Sequence, residues 1–386
     1  MTERSLDRFA GDKLSELDAR KLKRELRSID RLHAASVRAD DAELISFSSN
    51  DYLGLSQHPE VIEASCATTR RHGVGAGASR LVTGNHPLYR RLESQLAQIK
   101  DTEDAVVFGS GYLTNVGVIP SLLGPNDLIV MDELCHACLF AGATLAGSTR
   151  MTFRHKDTDG AEHLLRTHRA SHEHCLILTD GVFSMDGDRA PVAELLDIAN
   201  RHDAWLMTDD AHGLGVVEEG RGSGFAAGTP LPVPLQMGTL SKAVGAYGGY
   251  LCTSRAVADL IRTRARSFIY TTGLPPGTIA AASRALEIID AEKERVRAPM
   301  RHAKVFAEML GLRPPESAIV PVLIGDPEKA MGISRALEAA GFLVVGIRPP
   351  TVPAGTARLR ITFSAEHREE DVRKLAAVLA RELERS

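Results

Sequence analysis

Short apolar runs separated by amphipathic stretches dominate the middle of the chain. Residues 105–108, 128–131, 175–178, 205–207 and 235–237 are too short and too apolar for surface helices, and they predict strands. Residues 192–202 show the spacing of a helix with one buried face. Strands alternating with helices predict an α/β fold built on a mostly parallel central sheet flanked by helices. Upstream, Leu14, Leu17, Leu22, Leu26, Ile29 and Leu32 fall at helical spacing among charges, and 43–49 reads as a short strand. A glycine-rich loop, 73–77, follows a predicted helix. Beyond about residue 285 the pattern changes. A charged helical stretch at 292–306, with a kink expected at Pro299, leads into strands at 318–323, 342–347 and 358–363 and helices at 331–340 and 369–384. The expected division is an N-terminal helical segment (1–45), a large α/β domain (46–285) and a smaller C-terminal α+β domain (286–386).

Composition narrows the setting. The 386 residues are 44% hydrophobic and 25% charged with a net charge of −4, which gives no footing for nucleic acid or an anionic membrane as partner. No apolar stretch is long enough to span a bilayer, and the first residues lack the apolar core of a secretion signal. Five cysteines, an odd number, favour reduced thiols and a cytoplasmic location. Cys135 and Cys138 have the spacing of half a zinc site, but there is no second Cys-x-x-Cys, so no metal is expected. His155, His163, His168, His172 and His174 read as a solvated helix and loop, because His-Glu-x-x-His is absent.

Ligands of open α/β sheets bind beyond the carboxyl ends of the strands. Gly111, Tyr112, His136, Ser184, Asp209, His212 and Lys242 fall there. Lys242 lies on a loop among Gly238, Gly245, Gly248 and Gly249, which argue for close approach of backbone to something. In isolation it reads more readily as a surface lysine, and Asp209 with His212 reads as a polar turn closing a strand. Together they match what pyridoxal phosphate (PLP) asks of a protein. It needs a lysine amine for its aldehyde, a carboxylate at the pyridine nitrogen and a histidine at the ring hydroxyl. Backbone amides at a helix N-terminus, here Ser110-Gly111-Tyr112, suit its phosphate, and Thr239 adds a hydroxyl. Arg348, held before Pro349 and Pro350, reads either as a carboxylate clamp or as a surface arginine in a stiff loop. Gly-x-Gly-x-x-Gly after a strand and Gly-x-Ser-x-Gly are both absent, which disfavours a nicotinamide dehydrogenase and an α/β hydrolase. A catalytically silent scaffold on the same fold stays open.

Residues 48–55 (Ser-Ser-Asn-Asp-Tyr-Leu-Gly-Leu), 181–188 (Gly-Val-Phe-Ser-Met-Asp-Gly-Asp) and 347–360 resemble the α-oxoamine synthases, a family within the fold type I PLP-dependent transferases. The resemblance runs over essentially the whole chain. It implies an acyltransferase that condenses an amino acid with an acyl thioester and releases carbon dioxide. Residues 347–360 are most similar to the branch that uses L-alanine and a pimeloyl thioester; glycine with a short acyl-CoA, or serine, are the alternatives. The thioester carrier, coenzyme A or acyl carrier protein, is left open. Carried over, Lys242 bears PLP, Asp209 meets its pyridine nitrogen, His212 its phenolic oxygen, and His136 stacks on the ring. Gly111, Tyr112 and Thr239 hold the phosphate, and Ser184 lies against cofactor and substrate. Thr271 or Thr272 reaches a neighbouring subunit's phosphate, across a homodimer with active sites at the interface. Asn50, Arg348 and Thr351 surround the substrate, and Arg27 lies near the acyl chain. Two departures stand out: Asp180 where some relatives carry Glu, and a 75–80 loop with Ala76 and Ala78 where more glycine is usual.

Overall fold

The computed structural model describes residues 4–20 and 22–385. Its centre is a seven-stranded sheet. The strand order is Asp104–Phe108, Gly249–Thr253, Leu235–Thr239, Trp205–Asp209, Cys175–Asp180, Leu128–Asp132 and Thr149–Phe153. Only Gly249–Thr253 runs antiparallel to its neighbours. The inner strands are buried almost without interruption, as expected where helices cover both faces.

Alternation along each strand sends its residues to two different cores. Val106, Phe108, Ile129, Met131, Leu176, Leu178, Met207 and Met237 face one side, where they pack with Val118, Leu139 and Ile261 of the covering helices. Leu128, Val130, Ile177 and Leu206 face the other side, against Leu165, Leu195 and Ile198. A separate core holds the C-terminal region together, from Phe47 through Phe306, Val322, Leu359 and Phe363 to Leu379.

Three expectations change. The N-terminal segment is helical only over Ser5–Ala19; the strands Ile29–Arg31, Ser36–Ala39 and Ala42–Ser46 follow. The last of these pairs with Phe342–Leu343, which joins the segment to the C-terminal region. Of the apolar positions from 14 to 32, only Leu14 and Leu17 fall on the helix and Ile29 opens a strand, while Leu22, Leu26 and Leu32 lie in irregular segments. Thr149–Phe153 was not anticipated because it is an exposed edge strand with a polar sequence. Nor was Gly249–Thr253, where glycines mask a fully buried strand.

Two polar anchors set the loops that matter below. At the end of Trp205–Asp209, alternation turns Asp209 and Asp210 to opposite faces. Asp210 accepts a hydrogen bond from Lys100 Nζ at 2.5 Å, both side chains being wholly buried, and Ser223 N donates to it at 3.0 Å. The second anchor is His155, which departs from the solvated reading. It is half-buried between Asp132 (3.2 Å) and Asp188 (2.9 Å), with the Phe183 ring edge-on at 4.4 Å. Burial alone would lower its pKa, but the hydrogen bonds to Asp132 and Asp188 outweigh burial and raise it to about 9. The imidazolium ties the loop 181–188 to the end of the Leu128–Asp132 strand.

Removing Lys100 leaves a buried carboxylate without its counter-charge. Lys100→Met should therefore cost about 3–5 kcal/mol, read from denaturant unfolding; a loss within 1 kcal/mol, roughly the scale of a surface substitution, would contradict this role. For His155 the folded pKa lies above its unfolded value of about 6.5. Its contribution is full below about pH 6.5 and is lost as pH rises through about 9. Unfolding free energies across that window should show a smaller fall with pH in His155→Gln than in the parent chain.

Candidate active site

The carboxyl ends of five strands converge on a cavity of about 230 Å³. It is lined by Ser110, Gly111, Tyr112, His136, Cys138, Asp180, Ser184, Asp209, His212, Thr239 and Lys242, among others. Nine of the residues singled out by sequence thus meet in one place, although more than 130 positions separate the first from the last.

Asp209 shares a strand face with Met207, so it points toward the helices Gly111–Leu122 and Ala137–Ala146. Asn115 Nδ2 donates to its Oδ2 at 2.8 Å, and the backbone N–H of Ala211 donates to its Oδ1 at 3.1 Å. Asp180 lies beside it in register on the next strand. Burial, then the Asp209 charge, push Asp180 well above the usual carboxylate range. Lys242 Nζ is 2.6 Å from His212 Nε2, and the Tyr52 hydroxyl is 2.7 Å from His212 Nδ1. Burial lowers the Lys242 pKa to about 8, against the attraction of Asp209 and Asp180. Burial, with the charges of Lys242, Arg360 and His136, holds His212 well below its ordinary value, so its ring is neutral. His136 caps the helix Ala137–Ala146, and its Nδ1 meets the Cys138 thiol at 2.7 Å. Burial pushes that thiol up to about 12.

The anion cradle is built from backbone. Ser110 caps the helix Gly111–Leu122 by accepting from Leu113 N, which leaves the first-turn amides of Gly111 and Tyr112 facing the cavity. Gly249 passes directly beneath; a Cβ there would lie 2.6 Å from Gly111 N and 2.5 Å from the Ser110 carbonyl. A Cβ on Gly111 would press on Thr239 at 3.4 Å. Carboxylate floor, amine, histidine and amide cradle match the polar groups of PLP in kind and number, so the donor set fits that cofactor.

Five expected residues lie elsewhere in this chain. Arg27 is paired with Asp40 and Glu338, away from the cavity. Thr272 bridges to Ser79, and Thr271 lies near Gly109; neither lines the cavity. Arg348 and Thr351 are exposed, in a turn where Thr351 N donates to the Arg348 carbonyl. The arginine that does reach the site is Arg360. It is buried in the strand Ala357–Thr362; its Nε donates to the Ser184 carbonyl, and its Nη2 to Asn50 Oδ1 at 3.2 Å. Neighbouring Arg358 pairs with Asp186 of the same loop. Sequence reasoning gave no role to Arg360, Tyr52 or Asn115, and weighed Cys138 only as half of a metal site. The signal for Arg360 was an arginine flanked by Leu359 and Ile361, alternating with apolar residues in a short strand.

The pattern of the class I and II aminotransferases matches residues 42–379. An 8-amino-7-oxononanoate synthase of Methylobacterium radiotolerans is 55% identical, over 97% of this chain and 98% of its own. A serine palmitoyltransferase from S. paucimobilis with bound PLP superposes with a TM-score of 0.90 at 26% identity, over 99% of each chain. An 8-amino-7-oxononanoate synthase from Francisella tularensis shares the fold, with a TM-score of 0.76 at 23% identity over 89% of this chain and 98% of that one. With the matched pattern spanning most of its length, this chain belongs to the class I and II aminotransferase family.

Proposed function

We propose that this chain is a PLP-dependent acyltransferase of biotin biosynthesis that joins L-alanine to a pimeloyl thioester. Carbon dioxide and the free thiol are released, and 8-amino-7-oxononanoate is formed. The observation that carries this reading is the depressed amine of Lys242, set among His212, Asp209 and the Gly111–Tyr112 amides. The near full-length identity to a synthase of that name supports the choice of substrates. The carrier of the pimeloyl group, coenzyme A or carrier protein, is not part of the proposal.

Lys242, Asp209, His212, His136, Gly111, Tyr112 and Thr239 would hold the cofactor. Bound PLP supplies an electron sink for negative charge at the amino acid's Cα. Asp209 would face the ring nitrogen and favour its protonated form, which would keep that sink effective. Lys242, which would hold the cofactor at rest, is the base that would take the alanine Cα proton once its amine is free. A bond then forms between Cα and the thioester carbonyl carbon, and the thiolate leaves. The alanine carboxylate departs as carbon dioxide, and a proton returns to Cα. Arg360 is the group we assign to the alanine carboxylate: its Nη1 makes no hydrogen bond among the described residues, while Nε and Nη2 are held by the Ser184 carbonyl and Asn50. His212 and His136 are placed to stabilise oxyanion charge on the attacked carbonyl. The five free cysteines suit a reducing, cytoplasmic setting. Exposed Tyr112 at the cavity, together with exposed Tyr247 and Tyr270, supports a homodimer with active sites at its interface.

The test is thiol release by the PLP-loaded chain. Pimeloyl-CoA with L-alanine should release thiol, and acetyl-CoA with glycine or palmitoyl-CoA with serine should not; the opposite pattern would move the chain to another branch. Lys242→Ala should lower turnover by about 10⁴-fold or more. Because the free amine forms as pH rises through about 8, PLP uptake by the cofactor-free chain should accelerate from pH 6 to 9 with a midpoint near 8. A midpoint near the unperturbed value of about 10.4 would show that burial does not act on this lysine. Arg360→Lys should raise the alanine KM by about tenfold or more, whereas Arg348→Ala should leave it nearly unchanged; equal effects would reverse that assignment.

A further inference from the structure

Tyr52 is completely buried; its ring stands edge-on to His212 at 6.0 Å, and its hydroxyl reaches the polar groups of the site. That oxygen lies 2.7 Å from His212 Nδ1, 3.3 Å from Asn50 Oδ1 and 3.5 Å from Arg360 Nη2. The proton positions follow from what each group is able to do. A guanidinium only donates. The Asn50 atom facing Arg360 at 3.2 Å must therefore be its oxygen, and the Tyr52 oxygen also accepts from Arg360. Burial raises the Tyr52 pKa, so the phenol keeps its single proton. Of the two acceptors left, Nδ1 is the nearer by 0.6 Å, from 3.3 Å against 2.7 Å, and Asn50 Oδ1 is already engaged by Arg360. A neutral imidazole carries one N–H, and with Nδ1 accepting, that N–H is at Nε2.

We infer that Tyr52 is a positioning residue that fixes His212 as the Nε2–H tautomer, so that His212 donates toward Lys242 and the cavity. The consequence falls on Lys242. A neutral amine has a lone pair to receive the Nε2–H at 2.6 Å. An ammonium has none, and meets a like-polarised N–H instead. Tyr52 thereby favours the free amine, in the same direction as burial and the Arg360 charge, and against Asp209, Asp180 and Cys138. Its meaning for catalysis rests on the function proposed above, but the tautomer itself does not.

The test reads the ring nitrogens directly. In the full-length chain labelled with ¹⁵N-histidine, before and after PLP is added, His212 is assigned by the signal lost in His212→Gln. It should show an unprotonated, hydrogen-bonded Nδ1 and a protonated Nε2. A protonated Nδ1 in the parent chain overturns the inference without any variant having to fold. In Tyr52→Phe the two tautomers should mix. The pH at half-maximal trapping of Lys242 by formaldehyde and borohydride, followed by mass spectrometry before cofactor loading, should then rise by about one unit, a tenfold loss of free amine. A folded Tyr52→Phe chain with the parent tautomer and an unmoved midpoint overturns it equally. None of these readings depends on turnover, so failure here is distinct from failure of the acyltransferase assignment.

Discussion

Lys100 meets Asp210 with both side chains wholly buried, and the geometry of the site hangs from that contact. A strand sends neighbouring residues to opposite faces, so fixing Asp210 on one side fixes Asp209 on the other. The Lys100 ammonium holds Asp210 against the core that backs the sheet, while Asp209 is presented to Asn115 and the cavity. His212 leaves the same short turn, where Gly213 N and Leu214 N both donate to the Asp210 carbonyl. One buried ion pair therefore sets the direction of the carboxylate and the start of the loop that carries the histidine. Taking two charges out of water is costly, and here that cost places groups that must be positioned to within a fraction of an ångström.

Charge within the cavity is arranged by burial as much as by contact. Asp180 and Asp209 stand side by side on adjacent strands, and Lys242, His212 and His136 line the same cavity, with Arg360 close enough for its charge to act on Lys242 and His212. Burial disfavours every charged form, which raises the acid Asp180 and lowers the bases Lys242, His212 and His136. The result is an enclosed site in which Lys242 is brought to about 8, close to the pH at which a base works best, while the two imidazoles are held toward their neutral form.

Much of this was legible in the chain. Continuous apolar runs marked the buried parallel strands, and residues at their carboxyl ends marked the cavity, because a parallel sheet leaves no other place for a ligand. What stayed hidden has identifiable physical causes. Thr149–Phe153 is polar because it lies at an edge, and Gly249–Thr253 is rich in small residues because another backbone crosses it closely. Arg348 and Arg360 are only twelve positions apart, and no local pattern says which one turns inward; that depends on the pairing of Ala357–Thr362 with Ile319–Gly325 and Val345–Ile347. Tyr52 and Asn115 looked like ordinary core and helix residues. Their roles come from partners 160 and 94 positions away, separations that only the folded chain closes.

The loop 181–188 springs from the central sheet, yet the C-terminal region grips it at several points. Arg360 holds the Ser184 carbonyl, Arg358 holds Asp186, and the Ser317 hydroxyl donates to the Gly187 carbonyl at 2.7 Å. Ser184 therefore sits on a loop held from two sides, by the C-terminal strands through Arg360, Arg358 and Ser317 and by the sheet through His155. Any rigid-body swing of those strands drags one wall of the cavity with it, while Lys242 and Asp209 stay with the sheet. The width of the reaction chamber is thus a mechanical coordinate, set in part by how those strands are seated against the sheet.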